Sequence, residues 1–425
     1  MLNRLQAPPI HNAVEFDLKL SPAAQYLLDN RTPVYAIDAG AEEVVQLELV
    51  FYAGNWYEQQ NMIAATTNYM LKSGTKHKTA FEINEHFDFY GAFLSVSCYN
   101  ETAVVKLHCL SKRLPELLPV IAEILTESIF PEQELAIYKQ NQKQRLQVNL
   151  KKSDFVAGRL IDTYLYGENH PYGKYTREED LDKLQVEALK AFYDRFYTRG
   201  KCLIFVAGKL PTDIQQQLNA AFGHLPFSNE IAGTEYASQP ATDKIYNVVN
   251  DAAGVQGAIR IARPFPNRHH PDFARVQVLN TVFGGYFGSR LMSNIREDKG
   301  YTYGIHSYLQ NHIHTSAWMI STDAGRDVCE ATMKEVWNEA KILREELIEA
   351  EELDLVRNYM IGSILGDLDG PFQIINRWKN YVLNNVSGDY FYNSIEIIKT
   401  ISALELQELA NKYLAEDNFY QLRVL

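Results

Sequence analysis

Three histidines close to residue 310 are spaced in a way that could bind a metal ion. His312 and His314 are two residues apart in the stretch NHIHTS, so in a β-strand both would point to the same face. His306 could add a third imidazole nitrogen. No carboxylate or cysteine lies among the three, although such groups commonly complete protein zinc sites. We therefore interpret the stretch as a solvated strand face that binds no metal.

Motifs for other kinds of catalysis are missing from the chain. The sequence contains no Gly-x-Ser-x-Gly and no paired cysteine and histidine nucleophile signature. The glycine-rich stretch FGGYFGS at 283–289 lacks the Lys-Ser/Thr of a phosphate-binding loop and is better explained as a break between a helix and a turn. The sequence therefore favours neither covalent catalysis by serine or cysteine nor a phosphate-binding loop.

Length and composition limit the class of protein. The 425 residues are too many for one ordinary hydrophobic core and predict two or more domains. The formal net charge of −12 argues against nucleic acid as the main partner, because phosphate binding requires a basic surface. No stretch approaches the ~20 apolar residues of a membrane helix, and the first twenty residues lack the apolar core of a signal peptide. The four cysteines are widely spaced, as expected for free thiols in a reducing compartment. We therefore predict a cytoplasmic protein that binds neither nucleic acid nor membrane.

Hydrophobic periodicity predicts the same order of strands and helices twice. In the first half, strands at 33–53 precede a helix from Asn61, and strands return at 91–110. Helices then cover 114–150, and a helix, a turn and a strand end the unit near residue 208. The second half repeats this order, which indicates a duplicated unit.

Two matched features give the length of the repeat. Glu-Leu pairs in the two halves are separated by 352 − 134 = 218 residues, and helix-ending tyrosines by 413 − 197 = 216 residues. We predict an α+β fold of two tandem homologous units of about 215 residues, each a mainly antiparallel sheet with helices packed on one face. The predicted N-terminal unit spans residues 1–228, a linker follows at 229–243, and the C-terminal unit spans 244–425.

The stretch NMIAATTNYMLKSGTKHKTAFEI, residues 61–83, is typical of a helix, a Gly-Thr turn and the start of a second helix. In this stretch and beyond it, the chain resembles the pitrilysin (insulinase) family of inverted zinc peptidases. The resemblance covers nearly the whole chain. It rests on the order and spacing of YAGNWYEQQ, MLKSGT, FEINEHFDFYGAF, ENHPYG, FYDRFY with FVAG, and GSRLMSNIREDKGYTYG. It implies two α+β units in each half-enzyme and a substrate chamber between the halves.

The same resemblance identifies what the chain lacks. In the family, a His-x-x-Glu-His helix just before Met-Leu-x-x-Gly-Thr binds zinc through its histidines and activates water through its glutamate. Here ATTNY puts Ala65 and Tyr69 at the histidine positions and Asn68 at the glutamate position. Alanine has no lone pair, asparagine is no carboxylate base, and a phenol with a pKa of about 10 is a poor zinc ligand. The region that corresponds to the third ligand, 143–152, contains no acidic residue, so we expect no metal site in this chain.

Family members also bring an arginine and a tyrosine, seven residues apart, from the opposite half to the zinc. Arg296 and Tyr303 match this spacing in IREDKGYTYG. A guanidinium and a phenol can donate hydrogen bonds to a substrate carbonyl and to the oxyanion that forms as water attacks it, and one such donor stabilises the transition state by ~2.7–4 kcal/mol. Taken alone, the two would be a surface arginine and a strand tyrosine. Tyr301 could share a strand face with Tyr303, and only the seven-residue spacing selects Tyr303.

A peptide-binding strand is a further feature that the resemblance implies. Family members hold substrate as an added strand along the edge that begins at GAFLSVSCYNET, residues 91–102, often with Asn-Ala where this chain has Ser95 and Val96. Backbone pairing needs no particular side chain, so Ser95, Val96 and Ser97 are candidate substrate-binding residues. An ordinary interior strand is an equally good interpretation of the same residues.

Three functions stay open on the sequence alone. The chain has the Arg/Tyr pair and lacks the zinc motif, as the non-catalytic subunit of a heterodimeric zinc peptidase would. This hypothesis implies a homologous partner that carries His-x-x-Glu-His and the zinc, with oligopeptides as substrates. The alternative is a catalytically silent scaffold, like the core proteins of respiratory complexes that are related to this family, in which Arg296 and Tyr303 are relics. An independent hydrolase with an unrecognised site is the third.

Overall fold

The structure is a computed structural model that describes residues 12–231, 233 and 235–425. Within those residues the strands form two sheets. The first sheet contains β1 (Ala24–Leu27), β2 (Pro33–Asp38), β3 (Val44–Phe51), β4 (Phe93–Cys98), β5 (Ala103–Leu110) and β6 (Cys202–Gly208). The second sheet contains β7 (Ile245–Val248), β8 (Gln256–Phe265), β9 (Thr302–Asn311), β10 (Ser316–Gly325) and β11 (Tyr420–Val424).

Apart from the helix Ile214–Phe222, helices fill the same intervals between strands in both halves. In the first half they are α1 (Ile63–Met70), α2 (Ala80–Phe89), α3 (Leu114–Glu127), α4 (Glu132–Asn149), α5 (Ser153–Tyr166), α6 (Glu178–Asp182), α7 (Val186–Tyr193) and α8 (Ile214–Phe222). In the second half they are α9 (Phe273–Asn280), α10 (Cys329–Glu345), α11 (Ala350–Gly366), α12 (Pro371–Leu383), α13 (Asp389–Thr400) and α14 (Ala403–Tyr413). None of the helices among the described residues is long and apolar enough to cross a lipid bilayer.

The order of the strands is the same in both sheets. The first sheet runs β2-β6-β3-β5-β4 after its outermost strand β1, and the second runs β7-β11-β8-β10-β9. In each, the first of these pairings is parallel and the remaining ones are antiparallel. The predicted α+β fold with two tandem, mainly antiparallel units is confirmed. It follows that β9 is the counterpart of β4 and that α9 and α11 are the counterparts of α1 and α4.

The boundary between the units remains a prediction. Within the predicted linker 229–243, the described residues belong to no helix or strand. Two of them nevertheless bind to the first unit, because the backbone N–H groups of Gln239 and Ala241 donate to the carbonyls of Tyr166 and Tyr164, each at 2.9 Å. This segment therefore runs alongside the end of α5 and is hydrogen-bonded to it.

Each sheet is covered by a helix of the other unit on the face that its own helices leave open. Helix α5 of the first unit packs on β8 and β11, and α12 of the second unit packs on β2 and β6. Side chains of the first sheet, such as Val50 and Phe205, therefore belong to the core of the second unit, while Leu422 and Val424 belong to the core of the first. This arrangement explains why β6, CLIFVAG, is apolar throughout rather than alternating, since every residue in it is buried.

The predicted solvated strand face is wrong for His312, which is partly buried, whereas His314 is exposed but lies outside any strand. His312 and His314 lie in the turn between β9 and β10, not in a strand, and this turn docks against the first unit. The imidazole of His312 stacks on the ring of Tyr172 at 4.0 Å, and that of His314 stacks on Trp56 at 3.9 Å. The backbone N–H between them, from Ile313, donates to Glu101 Oε1 at 3.0 Å. The two histidines therefore join the two units.

This contact should make the protein less stable in acid. Burial lowers the pKa of His312 to about 4, and the neighbouring His170 contributes to the decrease. Between about pH 6.5 and 4 the unfolded chain then binds a proton that the folded chain does not, so stability falls as the pH falls, by up to about 1.4 kcal/mol per pH unit for this group. We expect His312→Gln to flatten the decrease of the denaturation midpoint over this range.

The histidine contact offers a matched control. His306 lies on β9 and is exposed, so His306→Gln should leave the dependence of the midpoint on pH as in the wild type. Burial also lowers the pKa values of His170 and His314, so some slope will remain in His312→Gln. Identical slopes for wild type and His312→Gln would contradict the assignment.

Candidate functional site

Helix α1 is positioned by a buried ion pair at its beginning. The side chain of Glu58 is fully buried, and its carboxylate lies 2.7 Å from Lys174 Nζ. The other oxygen of this carboxylate accepts the backbone N–H of Ala64 at 2.9 Å, in the first turn of α1. Carboxylates at a helix N-terminus are stabilised by the free N–H groups and the helix dipole. Glu58 therefore fixes where the helix begins.

The three positions of the lost zinc motif lie on α1 in different surroundings. Ala65 is partly buried, and Asn68 is buried and donates from Nδ2 to the hydroxyl of Tyr197 at 3.1 Å. Tyr69 is 54% exposed, and its ring packs against that of Tyr138 on α4 with 4.7 Å between the centroids. Aromatic side chains therefore occupy the space between α1 and α4.

These residues do not fit a zinc ion. Burial raises the pKa values of Tyr138 and Tyr197, so both phenols stay protonated. The nearby thiol of Cys98 is no better as a ligand, because burial raises its pKa to about 12. In the part of the chain that the structure describes, no three His, Cys, Asp or Glu side chains are grouped so that they could hold a metal ion.

The region proposed for the third ligand lies near the end of α4. That helix ends at Asn149, so residues 150–152 follow it, and the α4 side chain in ring contact with α1 is Tyr138. Arg145 is the charged residue of this helix whose field acts on Tyr138. A cation at this place opposes the binding of another cation.

Restoring the motif on α1 should therefore fail to restore the metal site. We expect the variant Ala65→His/Asn68→Glu/Tyr69→His to bind much less than one zinc per chain after dialysis against buffer, because the region that corresponds to the third ligand, 143–152, contains no carboxylate. Zinc is measured by atomic emission on the purified chain. One equivalent of zinc retained by the triple variant would show that another residue provides the third ligand.

Arg296 and Tyr303 lie in a short helix and in the strand that follows it, both in the second unit. Arg296 lies in the wide helical turn Met292–Asp298, and its guanidinium lies 4.5 Å from the centroid of the Phe287 ring. The ion pair with Glu297 is long, with 3.5 Å between Arg296 Nη1 and Glu297 Oε1. Arg296 therefore rests on an aromatic face and keeps hydrogen-bond donors available for a ligand.

A β-bulge directs Tyr303 away from the protein. Tyr303 and Gly304 of β9 stand opposite a single residue of β10, Asp323. The hydroxyl of Thr302 holds the bulge, because it donates to the Asp323 carbonyl at 2.7 Å and accepts from the Gly304 N–H at 3.1 Å. Tyr303 is consequently 91% exposed, whereas Tyr301 precedes the strand and packs against the core of the second unit. The expectation that these two tyrosines could share a strand face is wrong, since bulges redirect side chains.

The candidate substrate strand β4 is an edge strand. It lies at the end of the first sheet and pairs with β5, so the interpretation as an ordinary interior strand is wrong. At the hairpin, the N–H of Tyr99 donates to the carbonyl of Thr102 at 2.7 Å. Because bonded and non-bonded pairs alternate in antiparallel strands, Leu94, Val96 and Cys98 direct their backbone groups to the free edge.

The backbone groups of the three residues predicted to bind substrate therefore point in different directions. Val96 offers its backbone N–H and carbonyl to the edge, whereas Ser95 and Ser97 pair with β5. The edge is next to α1, which packs against β4, and Lys72, just after the end of this helix, donates from Nζ to the Leu94 carbonyl at 3.0 Å. Helix α1 and β4 therefore form one site, and among the described residues no hydrogen bond, ion pair or ring contact joins that site to Arg296 or Tyr303.

A duplicated α+β unit with a short helix beside an edge strand defines a protein of the inverted zinc-peptidase class. Two family models match most of the chain: "Insulinase (Peptidase family M16)" matches residues 34–172 and "Peptidase M16 inactive domain" matches residues 183–360. The chain belongs to the insulinase, or pitrilysin, family, peptidase family M16.

Relatives match this chain over three quarters or more of its length. An "Uncharacterized zinc protease" of Rickettsia felis is 24% identical over 91% of this chain and 93% of its own length. The "Non-peptidase homolog YmxG" of Helicobacter pylori is 23% identical over 75% of this chain and 74% of its own length. A crystal structure of a peptidase M16 inactive domain from Pseudomonas fluorescens superposes with a TM-score of 0.84 at 24% identity, over 95% of this chain and 98% of that chain. This likeness extends across both units.

Proposed function

We propose that this chain is the non-catalytic subunit of a heterodimeric zinc metallopeptidase that hydrolyses oligopeptides. Its partner would be a homologous chain that carries His-x-x-Glu-His and the zinc, and this chain would supply Arg296 and Tyr303 to the partner's site. We further propose that the pair works in the cytoplasm. The observation that carries the proposal is the retention of a half-buried Arg296 and an exposed Tyr303 in a chain that has Ala65, Asn68 and Tyr69 at the positions of the zinc motif.

The exposure of Tyr303 favours a binding role over a structural one. A tyrosine that is 91% exposed stabilises the fold little, because burial of its ring would be the main source of such stabilisation. Its hydroxyl makes no hydrogen bond to any described residue. The Tyr303 hydroxyl, like the guanidinium of Arg296, is therefore available to donate to a carbonyl oxygen or an oxyanion presented by another molecule.

The free edge of β4 supports a role in holding the substrate. An extended peptide could pair with the outward backbone groups of Val96 and Cys98, and such pairing gives affinity without requiring a particular sequence. Beside it, Lys72 already occupies the carbonyl of Leu94, which would limit the paired length on that side. This mode of binding suits a peptidase pair that accepts varied oligopeptides.

The test is purification of the tagged chain from its native host, followed by mass spectrometry and zinc analysis. We expect a second chain of similar size with His-x-x-Glu-His, about one zinc per heterodimer, and peptide cleavage by the pair. Recovery of the chain alone, or with unrelated proteins and without zinc, would contradict the subunit hypothesis and favour the scaffold.

A further inference from the structure

Two adjoining cavities lie where the second unit meets the first. The larger, about 590 Å³, lies in the second unit between β9 and helices α9, α11, α12 and α13. The smaller, about 500 Å³, lies between strands of the first sheet, the turn after β9 and helix α12. Arg268, Asn376 and Asn380 line both, and we call the pair the junction cavities. Each is of the size that small organic ligands occupy.

Arg268 is the unusual residue of the junction cavities. It lies in the loop between β8 and α9, is partly buried, and its guanidinium makes no hydrogen bond or ion pair with any described residue. Its Nε is shielded from water. A cation that is removed from water without a partner costs free energy, so such groups are normally paired.

The other cations that line the junction cavities have partners. Lys106 and Lys379 lie 2.9 Å and 2.5 Å from the two carboxylate oxygens of Glu48. Arg377 lies 2.8 Å from Asp367. The linings together contain four cationic side chains, with Arg268 the fourth, and three carboxylates, those of Glu48, Glu101 and Asp367, so the junction cavities carry an excess of positive charge that attracts anions.

We propose that the junction cavities bind a small organic anion, a carboxylate or a phosphate ester, whose charged group pairs with Arg268. Arginine presents a planar fork of N–H donors that matches both kinds of oxyanion. The remaining wall is rich in neutral polar side chains that suit the hydroxyl or amide groups of such a molecule: Gln277, Ser363, Gln373, Asn376, Asn380 and Ser394.

The position of the larger cavity within the repeat agrees with a binding role. Its walls α9, α11 and β9 are the counterparts of α1, α4 and β4, between which the first unit places its degenerate zinc positions. In the first unit, Tyr69 and Tyr138 fill the space between the helices. The second unit keeps an open polar cavity in the corresponding place, so the duplicated unit retains room for a ligand of another chemistry.

The experiment is a thermal denaturation series on the full-length chain with citrate and with glucose 6-phosphate, at an ionic strength held constant with sodium chloride. We expect a saturable rise of the Tm with at least one of the two anions, since a ligand that binds only the folded chain stabilises it. A response to citrate alone identifies the carboxylate and a response to glucose 6-phosphate alone the phosphate ester. If neither anion gives a saturable rise of the Tm, the proposal is overturned.

Two substitutions separate this site from a general effect of salts. Arg268→Gln should weaken the apparent affinity at least about tenfold, because a charge-assisted hydrogen bond is lost. Arg275→Gln, seven residues further along the chain and outside both cavities, should leave it unchanged. Equal apparent affinities of Arg268→Gln and wild type for the anion would overturn the proposal.

The ligand-free protein gives a second readout. Because Arg268 has no partner among the described residues, Arg268→Gln should have a Tm equal to or above that of the wild type when no anion is added. A clear decrease of this Tm would show that Arg268 holds the fold together, and the binding proposal would be abandoned.

Discussion

Substitution of Arg296 by alanine should lower the turnover of the proposed peptidase pair by about 10²–10³-fold, which is the usual effect of losing one donor to an oxyanion. The side chain rests on Phe287 and has no short ion pair, so its removal leaves no buried group unpaired. We therefore expect the variant to fold and to assemble with its partner as the wild type does. The measurement compares kcat and KM for a quenched fluorescent peptide with the amount of partner that copurifies.

Tyr303→Phe removes a single hydroxyl from the same region. If the hydroxyl donates to the reacting carbonyl, kcat should fall by a similar factor while KM changes little, since the ring stays in place. Tyr301→Phe is the matched control, because Tyr301 is only two residues away and packs against the core of the second unit. Normal turnover by both Arg296→Ala and Tyr303→Phe would show that the pair takes no part in catalysis.

The repeat could be predicted from the sequence because it depends on local patterns. Alternating and helical hydrophobic periods, together with the spacing of Glu134 and Glu352, predict two homologous units from the sequence alone. The matching order of the strands in the two sheets agrees with this. What the pattern could not predict is the exchange of α5 and α12 between the units, since that packing depends on contacts between distant parts of the chain.

The histidines of the turn after β9 illustrate the same limit. In the sequence, His312 and His314 alternate as strand residues do, and nothing local indicates that Tyr172 and Trp56 will stack on them. Likewise the β-bulge that exposes Tyr303 depends on hydrogen bonds to β10 across the sheet. Side-chain direction at the candidate site was therefore set by tertiary contacts, while the choice of residues could be made from spacing and resemblance.

Glu58 and Lys174 are a pair that sequence reasoning missed, although Glu58 lies in a stretch that supports the family resemblance and Lys174 directly follows another. Neither YAGNWYEQQ nor ENHPYG with the following lysine suggests an ion pair, because the two residues are more than a hundred positions apart. The only local signal is a glutamate shortly before the first turn of α1, which is typical of a residue that stabilises a helix N-terminus.

Lys174→Met should destabilise the protein by about 3–5 kcal/mol at neutral pH, because it leaves the fully buried carboxylate of Glu58 without its cation. Burial already raises the pKa of Glu58 in spite of Lys174, and without the lysine the folded-state pKa rises further. An acid whose pKa is higher in the folded state than in the unfolded state loses stability as the pH rises towards that folded value, so the deficit of the variant should be larger at pH 8 than at pH 5. Denaturation midpoints of wild type and variant at both values measure this difference.

The double variant Glu58→Gln/Lys174→Met separates the ion pair from the packing around it. Glutamine can still accept the N–H of Ala64 at the start of α1 and carries no charge, so the double variant should recover most of the stability that Lys174→Met loses. A double variant as unstable as Lys174→Met would show that the lysine acts through its own packing rather than through Glu58. Recovery would mean that the charge pair is replaceable and that residue 58 acts by accepting the Ala64 N–H in the first turn of α1.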